Sequence, residues 1–364
     1  MANSNLSKAK NAKNDEFYTQ YQDIEKEIMA YLDYDPNTFK GKTILLPCDD
    51  PEWSNFTKFF AQNFERFGLK KLISTSYAPE SKLYKSNYQP TLFETENPKF
   101  DPTKTVKNGK IFTLDHDTSG DGKIDVNDLE WTYLKGDGDF KSEEIKKLRD
   151  EADIIITNPP FSLFRDFLAW IVEADKKFVI VGSKNAITLK EVFPLIKTNK
   201  MWVGTTSFNK DMLFISPEEI DPTKKPSSAT RTVDGIVYLR SPSVWYSNLD
   251  HGRRHQPLPL MTMQDNIKFS KHKEIKGCEY QKFDNYDAIN IPFTDAIPND
   301  YDGAMAVPIS FLDKYSPEQF EIISSNDIKT NDAVSNKEHG LIKDKDGTIN
   351  GVPTYVRLVI RKRK

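Results

Sequence analysis

Apolar and polar residues follow two patterns along the first half of the chain, one typical of helices and one typical of buried strands. Between Phe17 and Leu32 apolar residues recur every three or four positions, which predicts an amphipathic helix. The run KTILLPCDD then predicts a short buried strand that stops at a proline and two aspartates. A stripe of phenylalanines follows and ends at Gly68, which predicts a second helix with Ser54 as its N-cap.

A strand–helix–strand unit is predicted twice. The first consists of KTILL, the phenylalanine helix and the strand KKLISTSY. The second consists of ADIIIT, a helix with apolar residues from Phe164 to Ile171, and the strand KFVIVGS. Such units imply parallel strands joined by right-handed crossovers, and together with the run DMLFI they predict an open α/β sheet. Ligands of such sheets bind at the carboxyl ends of strands, where PCDDP and NPPF both fall.

The pattern changes after about residue 216. A connection rich in Pro, Ser and Thr leads to short strand-like runs, GIVYL and SVWYS, set among charged segments. We therefore expect a second, loop-rich α+β region over 216–350. The tail TYVRLVIRKRK alternates as a final strand does, and the polar, Lys-rich residues 1–14 predict a disordered arm.

Composition narrows the classes of protein. The 364 residues carry a net charge of −3, so contact with a nucleic acid must come from local basic patches. The two cysteines, Cys48 and Cys278, form no C-x-x-C pair and no HExxH motif occurs, which argues against a zinc site or a disulfide framework. The chain has no apolar leader and no run near 18 apolar residues, so we expect a cytoplasmic protein without membrane contact.

The NPPF turn suits a substrate with an exocyclic amine. The amino nitrogen of adenine is a poor nucleophile because its lone pair is delocalised into the ring. The side-chain oxygen of Asn158 and the carbonyl of Pro159 can each accept one amino hydrogen and so free that lone pair. Pro159 and Pro160 have fixed φ, and Phe161 offers a face on which an extruded base can stack. The alternative is a proline-punctuated strand end before a helix capped by Ser162.

Longer stretches carry a resemblance to a known family. KNDEFYTQ, CDDPEWSNF, LKGDGDFKSEE, NPPFSLFRDFL, YDAINI, YDGAMAVPISFLDKY and PEQFEII occur in this order from about residue 12 to the C-terminus. Together they resemble the EcoRI-type adenine-specific DNA methyltransferases, which use S-adenosylmethionine. The resemblance implies a Rossmann-like, open and mostly parallel methyltransferase sheet in a catalytic domain at 15–215. It also implies a target-recognition region at 216–350 and a C-terminal strand with a basic tail at 351–364.

The same resemblance implies a cofactor site. The EFYT motif places Tyr18 and Thr19 near the methionine carboxylate of S-adenosylmethionine. LPCDDP stands where the first glycine-rich cofactor loop of such enzymes lies, but it has no G-x-G. Which of its residues contact the cofactor is therefore open among Pro47, Cys48, Asp49 and Asp50. The alternative for the aspartates is a turn and helix-cap cluster.

The GDGDF motif completes the implied cofactor site. Asp139 is expected to accept a hydrogen bond from the adenine amine of the cofactor, and Phe140 is expected to cover its ring; the alternative is a glycine-rich turn. The resemblance as a whole implies a site-specific methyltransferase that makes N6-methyladenine in double-stranded DNA, of restriction-modification or epigenetic type. A cognate restriction endonuclease that forms no stable complex is a further expected partner.

The stretch DTSGDGKIDVND matches the spacing of a calcium loop. Possible ligands fall at its first, third, fifth, seventh, ninth and twelfth places, with Gly122 at the sixth: Asp117, Ser119, Asp121, the Lys123 carbonyl, Asp125 and Asp128. The twelfth place has Asp instead of the usual Glu, and the flanking helices are weak. We therefore favour an acidic turn and expect no metal.

Three basic clusters are candidates for phosphate contact: HGRRH at 251–255, KFSKHKEIK at 268–276 and RKRK at 361–364. Within the first, we take Arg253, Arg254 and His255 as the predicted DNA contacts. The alternative for each cluster is a solvated charged face. Two other functions stay open on the sequence: methyl transfer to RNA or to a protein glutamine amide, and non-enzymatic calcium-dependent binding organised around 117–128.

Overall fold

The computed structural model describes residues 18–49, 54–78, 95, 97–215, 230–325 and 347–363. The chain forms two compact units, each of which consists of two separate stretches of the sequence. Residues 1–183 and 210–249 form the first unit, and residues 184–209 and 250–364 form the second. The predicted arm at 1–14 lies outside the described residues.

Helices and strands are distributed along the whole described chain. The helices are α1 (Tyr21–Tyr34), α2 (Asn55–Gln62), α3 (Phe64–Phe67), α4 (Glu143–Glu151), α5 (Phe164–Glu173), α6 (Phe193–Lys197) and α7 (Met263–Phe269). The strands are β1 (Tyr18–Thr19), β2 (Thr43–Leu46), β3 (Lys71–Ser76), β4 (Lys110–Leu114), β5 (Glu130–Tyr133), β6 (Ile154–Thr157), β7 (Lys177–Ser183), β8 (Trp202–Val203), β9 (Met212–Ile215), β10 (Thr230–Val233), β11 (Ile236–Ser241), β12 (Ser243–Ser247), β13 (Ile289–Asn290), β14 (Met305–Pro308), β15 (Phe320–Ser325), β16 (Thr348–Ile349), β17 (Val352–Pro353) and β18 (Arg357–Lys362).

A large mixed sheet forms the centre of the first unit. Its strands lie in the order β5, β4, β3, β2, β6, β7, β12. The inner strands β3, β2, β6 and β7 run parallel, whereas β4 and β12 join antiparallel at either side. The inner strands are buried along most of their length because both faces of a parallel sheet are covered. The predicted α/β sheet with a parallel centre is confirmed.

The phenylalanine stripe forms a helix that covers this sheet. Ser54 is the N-cap of α2, where its Oγ accepts a hydrogen bond from the Phe56 N–H at 3.1 Å. The helix is interrupted at Asn63, resumes as α3, and ends at Gly68 in the left-handed conformation with φ of 63°. All the phenylalanines of the stripe are buried: Phe56, Phe59, Phe60, Phe64 and Phe67. Burial of each stabilises the fold by about 1.5–3 kcal/mol.

The run DMLFI does not extend the large sheet. It forms β9, which pairs antiparallel with β1 on one side and β11 on the other, in a separate sheet of order β1, β9, β11, β10. The prediction that it contributes to the open α/β sheet was therefore wrong. A four-residue apolar run suits either sheet, and its pairing partners come from distant parts of the chain. The runs GIVYL and SVWYS form β11 and β12 of the first unit, so the boundary predicted near residue 216 does not coincide with the division into units.

The second unit is smaller, and its sheet contains both parallel and antiparallel strand pairs. Its sheet has the order β13, β14, β18, β15, with the predicted C-terminal strand β18 paired antiparallel to both β14 and β15. Phe283, Ala306, Ile323 and Val359 belong to the core of this unit. Among the described residues of the chain, no helix is both long enough and apolar enough to cross a membrane.

Candidate active site

Two turns meet at one edge of the large sheet: the NPPF turn, residues 158–161, and the turn formed by residues 47–49, named here the PCD turn. Strands β2 and β6 are parallel neighbours, with Leu45 opposite Ile155, so their carboxyl ends lie side by side. Thr157, the last residue of β6, is buried, and its Oγ1 donates a hydrogen bond to the Pro47 carbonyl at 2.7 Å. This bond joins the residue before Asn158 to the residue after β2. The two motifs are therefore adjacent, as expected for the carboxyl ends of parallel strands.

The NPPF segment leaves the strand as a tight, proline-fixed turn. Pro159 and Pro160 are buried and Asn158 is half-buried. The Pro160 carbonyl accepts a hydrogen bond from the Leu163 N–H at 2.9 Å, which closes a single helical turn before α5 begins at Phe164. No side chain caps α5, so the cap expected of Ser162 in the alternative interpretation is not formed.

Phe161 connects this turn to the EFYT motif. The Phe161 ring lies 6.0 Å from the Phe214 ring, edge to face, with an interplanar angle of 81°. Phe214 is fully buried on β9, where it pairs directly with Thr19 of β1. The aromatic residue of NPPF therefore packs beside the strand that carries Tyr18 and Thr19.

Thr19 also lies beside the start of α2, which follows the PCD turn. The Thr19 carbonyl accepts a hydrogen bond from Asn55 Nδ2 at 2.8 Å, and Asn55 is the first residue of α2. The Thr19 side chain is buried, and its Oγ1 makes no hydrogen bond with any described residue. A buried hydroxyl costs free energy unless it has a hydrogen-bond partner. Thr19 therefore fits a site in which a polar ligand group supplies that partner.

Asp49 occupies the turn and cap position that the alternative interpretation gave it. Its buried carboxylate accepts hydrogen bonds from Ser54 Oγ and from Thr57 Oγ1, the latter at 2.8 Å. Its carbonyl accepts from Ser74 Oγ on β3 at 2.7 Å. Asp49 thus ties the end of β2 to α2 and β3, and this network accounts for both of its carboxylate oxygens.

Cys48 has a backbone conformation that is typical of glycine. Its φ is 62°, in the left-handed region that glycine adopts without strain and other residues adopt at a cost of about 1–2 kcal/mol. The turn after β2 therefore has a backbone conformation that glycine favours, although the G-x-G motif is missing and a cysteine occupies the position. The Cys48 side chain is half-buried. Asp50, the remaining candidate of this motif, lies outside the described residues.

The GDGDF segment packs against the end of β3, next to β2. The Asp137 carbonyl accepts a hydrogen bond from the Ala78 N–H at 2.8 Å. Gly138 has a φ of 87°, and a Cβ at this position would lie 2.3 Å from the Ser76 carbonyl oxygen, so only glycine fits. Asp139 is half-buried, and its Oδ1 accepts from the Lys141 N–H at 2.9 Å.

Phe140 is a core residue. It is 1% exposed and packs edge to face on Phe167 at 5.2 Å and on Trp170 at 5.7 Å, both on α5. This packing gives no support to the expected stacking of Phe140 on a cofactor ring, which stays a prediction.

The acidic loop at 117–128 is held together by its own carboxylates. Asp128 is buried, and its oxygens accept hydrogen bonds from the N–H groups of Asp125 at 3.0 Å, Ser119 at 2.8 Å and Thr118 at 2.9 Å. The Asp125 and Ser119 N–H groups hold the pKa of the Asp128 carboxyl far below its usual range. Asp117 accepts from the N–H groups of Gly120 and Gly122. This is the geometry of an acidic turn, and the expectation that the loop holds no metal stays a prediction.

The HGRRH cluster is engaged in contacts within the second unit. Arg254 is buried, pairs with Asp250 at 2.8 Å, donates to Asn199 Oδ1 at 2.6 Å, and lies 3.5 Å over the Trp202 ring. Arg253 Nη1 donates to the Thr205 carbonyl at 2.6 Å. His255 lies between the carboxylates of Asp250 and Glu318, at 2.9 and 2.8 Å. The role predicted for these side chains in DNA contact stays a prediction, and their geometry favours a structural role.

Comparison with known proteins decides the family. The family model described as adenine-specific methyltransferase EcoRI matches residues 5–363. The chain belongs to this family. It is therefore an adenine-specific methyltransferase, and the resemblance and the enzyme class predicted from the sequence are confirmed.

Relatives match over their whole length. The chain is 38% identical to the type II methyltransferase M.EcoRI of Escherichia coli, over 100% of this chain and 97% of that protein. It is 33% identical to the type II methyltransferase M.MpnI of Mycoplasma pneumoniae, over 99% of this chain and 98% of that protein. No solved structure matches the chain.

Sequence reasoning missed three residues that assemble the site. Thr157 joins the two turns, Asn55 holds the EFYT strand against α2, and Phe214 supports Phe161. Thr157 directly precedes NPPF and Asn55 lies within the stretch CDDPEWSNF, so their polar side chains were visible candidates. Phe214 lies far from every motif in sequence, and only the pairing of β9 with β1 reveals its place.

Proposed function

We propose that this protein transfers a methyl group from S-adenosylmethionine to the N6 amino group of an adenine extruded from double-stranded DNA, at a short recognition sequence, as a type II restriction-modification enzyme. The observation that carries the proposal is the convergence of NPPF, the PCD turn and the buried Thr19 at one edge of the sheet. The type II methyltransferases among its full-length relatives support DNA as the substrate.

The chain supplies positioning and hydrogen-bond acceptors. Asn158 Oδ1 and the Pro159 carbonyl accept the two amino hydrogens of the target adenine, which directs the nitrogen lone pair outward. The neighbouring prolines hold that carbonyl in place, because their φ angles are fixed. Phe161 provides the face on which the extruded base stacks, with Phe214 behind it. Two acceptors held in place before the reaction stabilise the transition state without reorganisation.

The residues beside NPPF fit the cofactor. When bound, S-adenosylmethionine supplies an electrophilic methyl group on a sulfonium. Tyr18 and the unsatisfied Thr19 hydroxyl would hold its methionine end, and the left-handed Cys48 backbone would line the turn after β2. Asp139, half-buried in the GDGDF segment that packs against the end of β3, would accept from its adenine amine. Asp49 would support this arrangement indirectly by fixing the PCD turn, because hydroxyls of the chain already satisfy its carboxylate.

The two units have different roles, one in catalysis and the other in recognition. The first unit carries NPPF and the predicted cofactor residues, and it is the catalytic unit. The second unit recognises the target sequence in duplex DNA. A cognate endonuclease would act on the same sequence without a stable complex, in the cytoplasm.

The test is methyl transfer with a defined substrate. Purified protein is incubated with methyl-labelled S-adenosylmethionine and duplex DNA, RNA or a glutamine-containing peptide in parallel. Long-read sequencing of DNA from a methylase-free host that expresses the chain reports the modified base and its sequence context. We expect label in duplex DNA and N6-methyladenine at one short sequence. Preferential labelling of RNA or peptide would replace the substrate in this proposal.

Asn158→Ala tests the role of the turn. Turnover should fall by about a hundredfold or more, as when one preorganised transition-state hydrogen bond is lost. Asn158→Asp should be milder, since a carboxylate still offers an acceptor. Asn127→Ala, an exposed asparagine of the acidic loop, is the matched control and should transfer at the parental rate. Parental turnover in Asn158→Ala would reduce NPPF to a structural turn.

A chelator separates the remaining alternative. If the acidic loop is structural only, activity in chelator should equal activity in added calcium, because Asp117 and Asp128 already accept backbone N–H groups. Loss of activity in chelator and recovery with calcium would show that the loop binds the ion.

A further inference from the structure

The basic clusters differ in whether their charges are available for a partner. In HGRRH, the arginines and His255 contact carboxylates and carbonyls of the second unit. In the C-terminal cluster, Arg361 pairs with Glu321 at 3.6 Å and Lys362 Nζ donates to the Asn299 carbonyl at 2.6 Å. The described charges of both clusters are thus directed at the protein itself.

The remaining cluster, residues 268–276, is named here the lysine turn. Lys268, Lys273 and Lys276 are exposed and form no ion pair with any residue that the structure describes. Lys271 pairs with Asp295 at 2.8 Å, and Glu274 is the one acidic residue within the turn. The turn therefore presents a net positive surface that the second unit does not neutralise.

The backbone beneath these lysines is fixed. Ile275 is buried, and the His272 ring stacks on Phe293 with centroids 3.6 Å apart and an interplanar angle of 4°. The Gly277 N–H donates to the Ile267 carbonyl at 2.8 Å, which returns the turn to α7. A fixed backbone holds the spacing of the lysines, so a binding partner does not have to order it.

An exposed aromatic residue accompanies the charges. Phe269 ends α7 with 61% of its surface exposed, and the Lys268 Nζ lies 5.0 Å from its ring centroid. A solvent-exposed phenylalanine beside lysines suits a partner that offers both phosphates and flat apolar faces. Duplex DNA combines the two, and apolar side chains act as wedges at unstacked base steps.

We propose that the lysine turn is a surface through which the second unit binds duplex DNA. The exposed lysines contact phosphates, and Phe269 inserts against the bases as an apolar wedge. The inference rests on the proposed function, which supplies duplex DNA as the partner, and it replaces HGRRH as the predicted contact. Extrusion of a base breaks its stacking, so an aromatic side chain at the disturbed step offsets part of that loss.

The test measures the salt dependence of duplex binding. The triple variant Lys268→Gln, Lys273→Gln, Lys276→Gln should lower the log–log salt slope by about 0.9 per lost phosphate contact, hence by about 2.7 in all. The matched control changes the same charge at exposed lysines elsewhere: Lys107→Gln, Lys200→Gln, Lys314→Gln. The control should keep the parental slope. An unchanged slope in the lysine-turn variant, or an equal loss in the control, would overturn the proposal.

Phe269→Ala tests the wedge separately. It should weaken duplex binding by about tenfold without changing the salt slope, as expected for lost stacking. Val352→Ala, at another exposed apolar residue of the second unit, is the control and should bind as the parent does. Parental affinity in Phe269→Ala would remove the wedge from the proposal.

Assays of the parent protein distinguish failure of the proposed surface from failure of the proposed function. If the parent methylates duplex DNA and the lysine-turn variant keeps its slope, only the surface is wrong. If the parent neither binds nor methylates duplex DNA, the proposed function fails and the surface fails with it.

Discussion

Thr157→Val removes the hydrogen bond that joins the PCD and NPPF turns. Valine has nearly the same shape as threonine, so the substitution deletes a hydroxyl without leaving a cavity. The Pro47 carbonyl is buried and loses its donor at 2.7 Å. An unsatisfied buried acceptor costs about 1–3 kcal/mol, so the free energy of unfolding should fall by that amount. Urea unfolding measures this change.

The same substitution should slow methyl transfer. Asn158 follows Thr157 directly, so loosening the end of β6 displaces the acceptor of the target amine. A displacement of about 1 Å costs on the order of a hundredfold in rate, and we expect kcat to fall about tenfold to a hundredfold. KM for S-adenosylmethionine should change less, because β1 and α2 keep their contact through Asn55 and Thr19.

Thr157→Ser is the matched control. It keeps the hydroxyl and deletes one methyl group, which costs about 0.8 kcal/mol of stability. Its kcat should stay close to the parental value. If Thr157→Val loses stability but keeps the parental kcat, the hydrogen bond stabilises the fold without positioning Asn158. If serine and valine slow transfer equally, the methyl group and not the hydrogen bond is responsible.

Three further predictions concern the packing and the charges of the two units. Gly182→Ala should destabilise the first unit by about 1–3 kcal/mol in urea unfolding, because the new Cβ would lie 2.4 Å from the Phe164 ring. Arg254→Ala should destabilise the second unit by about 1.5–3 kcal/mol, since it removes the charge-assisted hydrogen bond to Asp250, and should keep the parental salt slope of duplex binding. Burial lowers the pKa of His251 from 6.5 to about 4, so the unfolded chain takes up this proton first as the pH falls. Stability should therefore drop by about 3 kcal/mol between these pH values, and His251→Gln should flatten that dependence in urea unfolding at a series of pH values.

The sequence determined the elements with strong local patterns. The phenylalanine helix, its Ser54 cap and its Gly68 end follow from local spacing and turn chemistry, and the structure confirms them. The strands β2, β6 and β7 were found from their apolar runs, and β3 was found from its position after the phenylalanine helix. NPPF and PCDD were placed at strand ends by the same reasoning, because parallel strands bring their carboxyl ends to one edge. The family followed from long motifs in order, which local physics alone does not supply.

Tertiary structure decided which surfaces those elements share. DMLFI suits any sheet, and only its pairing with β1 puts Phe214 behind Phe161. Phe140 stands in a motif, yet contact with α5 makes it a core residue. HGRRH and the lysine turn are both basic in sequence, but the neighbouring Asp250 and the distant Glu318 pair with the first, whereas most of the second stays exposed. Pairing of side chains across the fold depends on residues far apart in the chain, so it is set by packing and not by local composition.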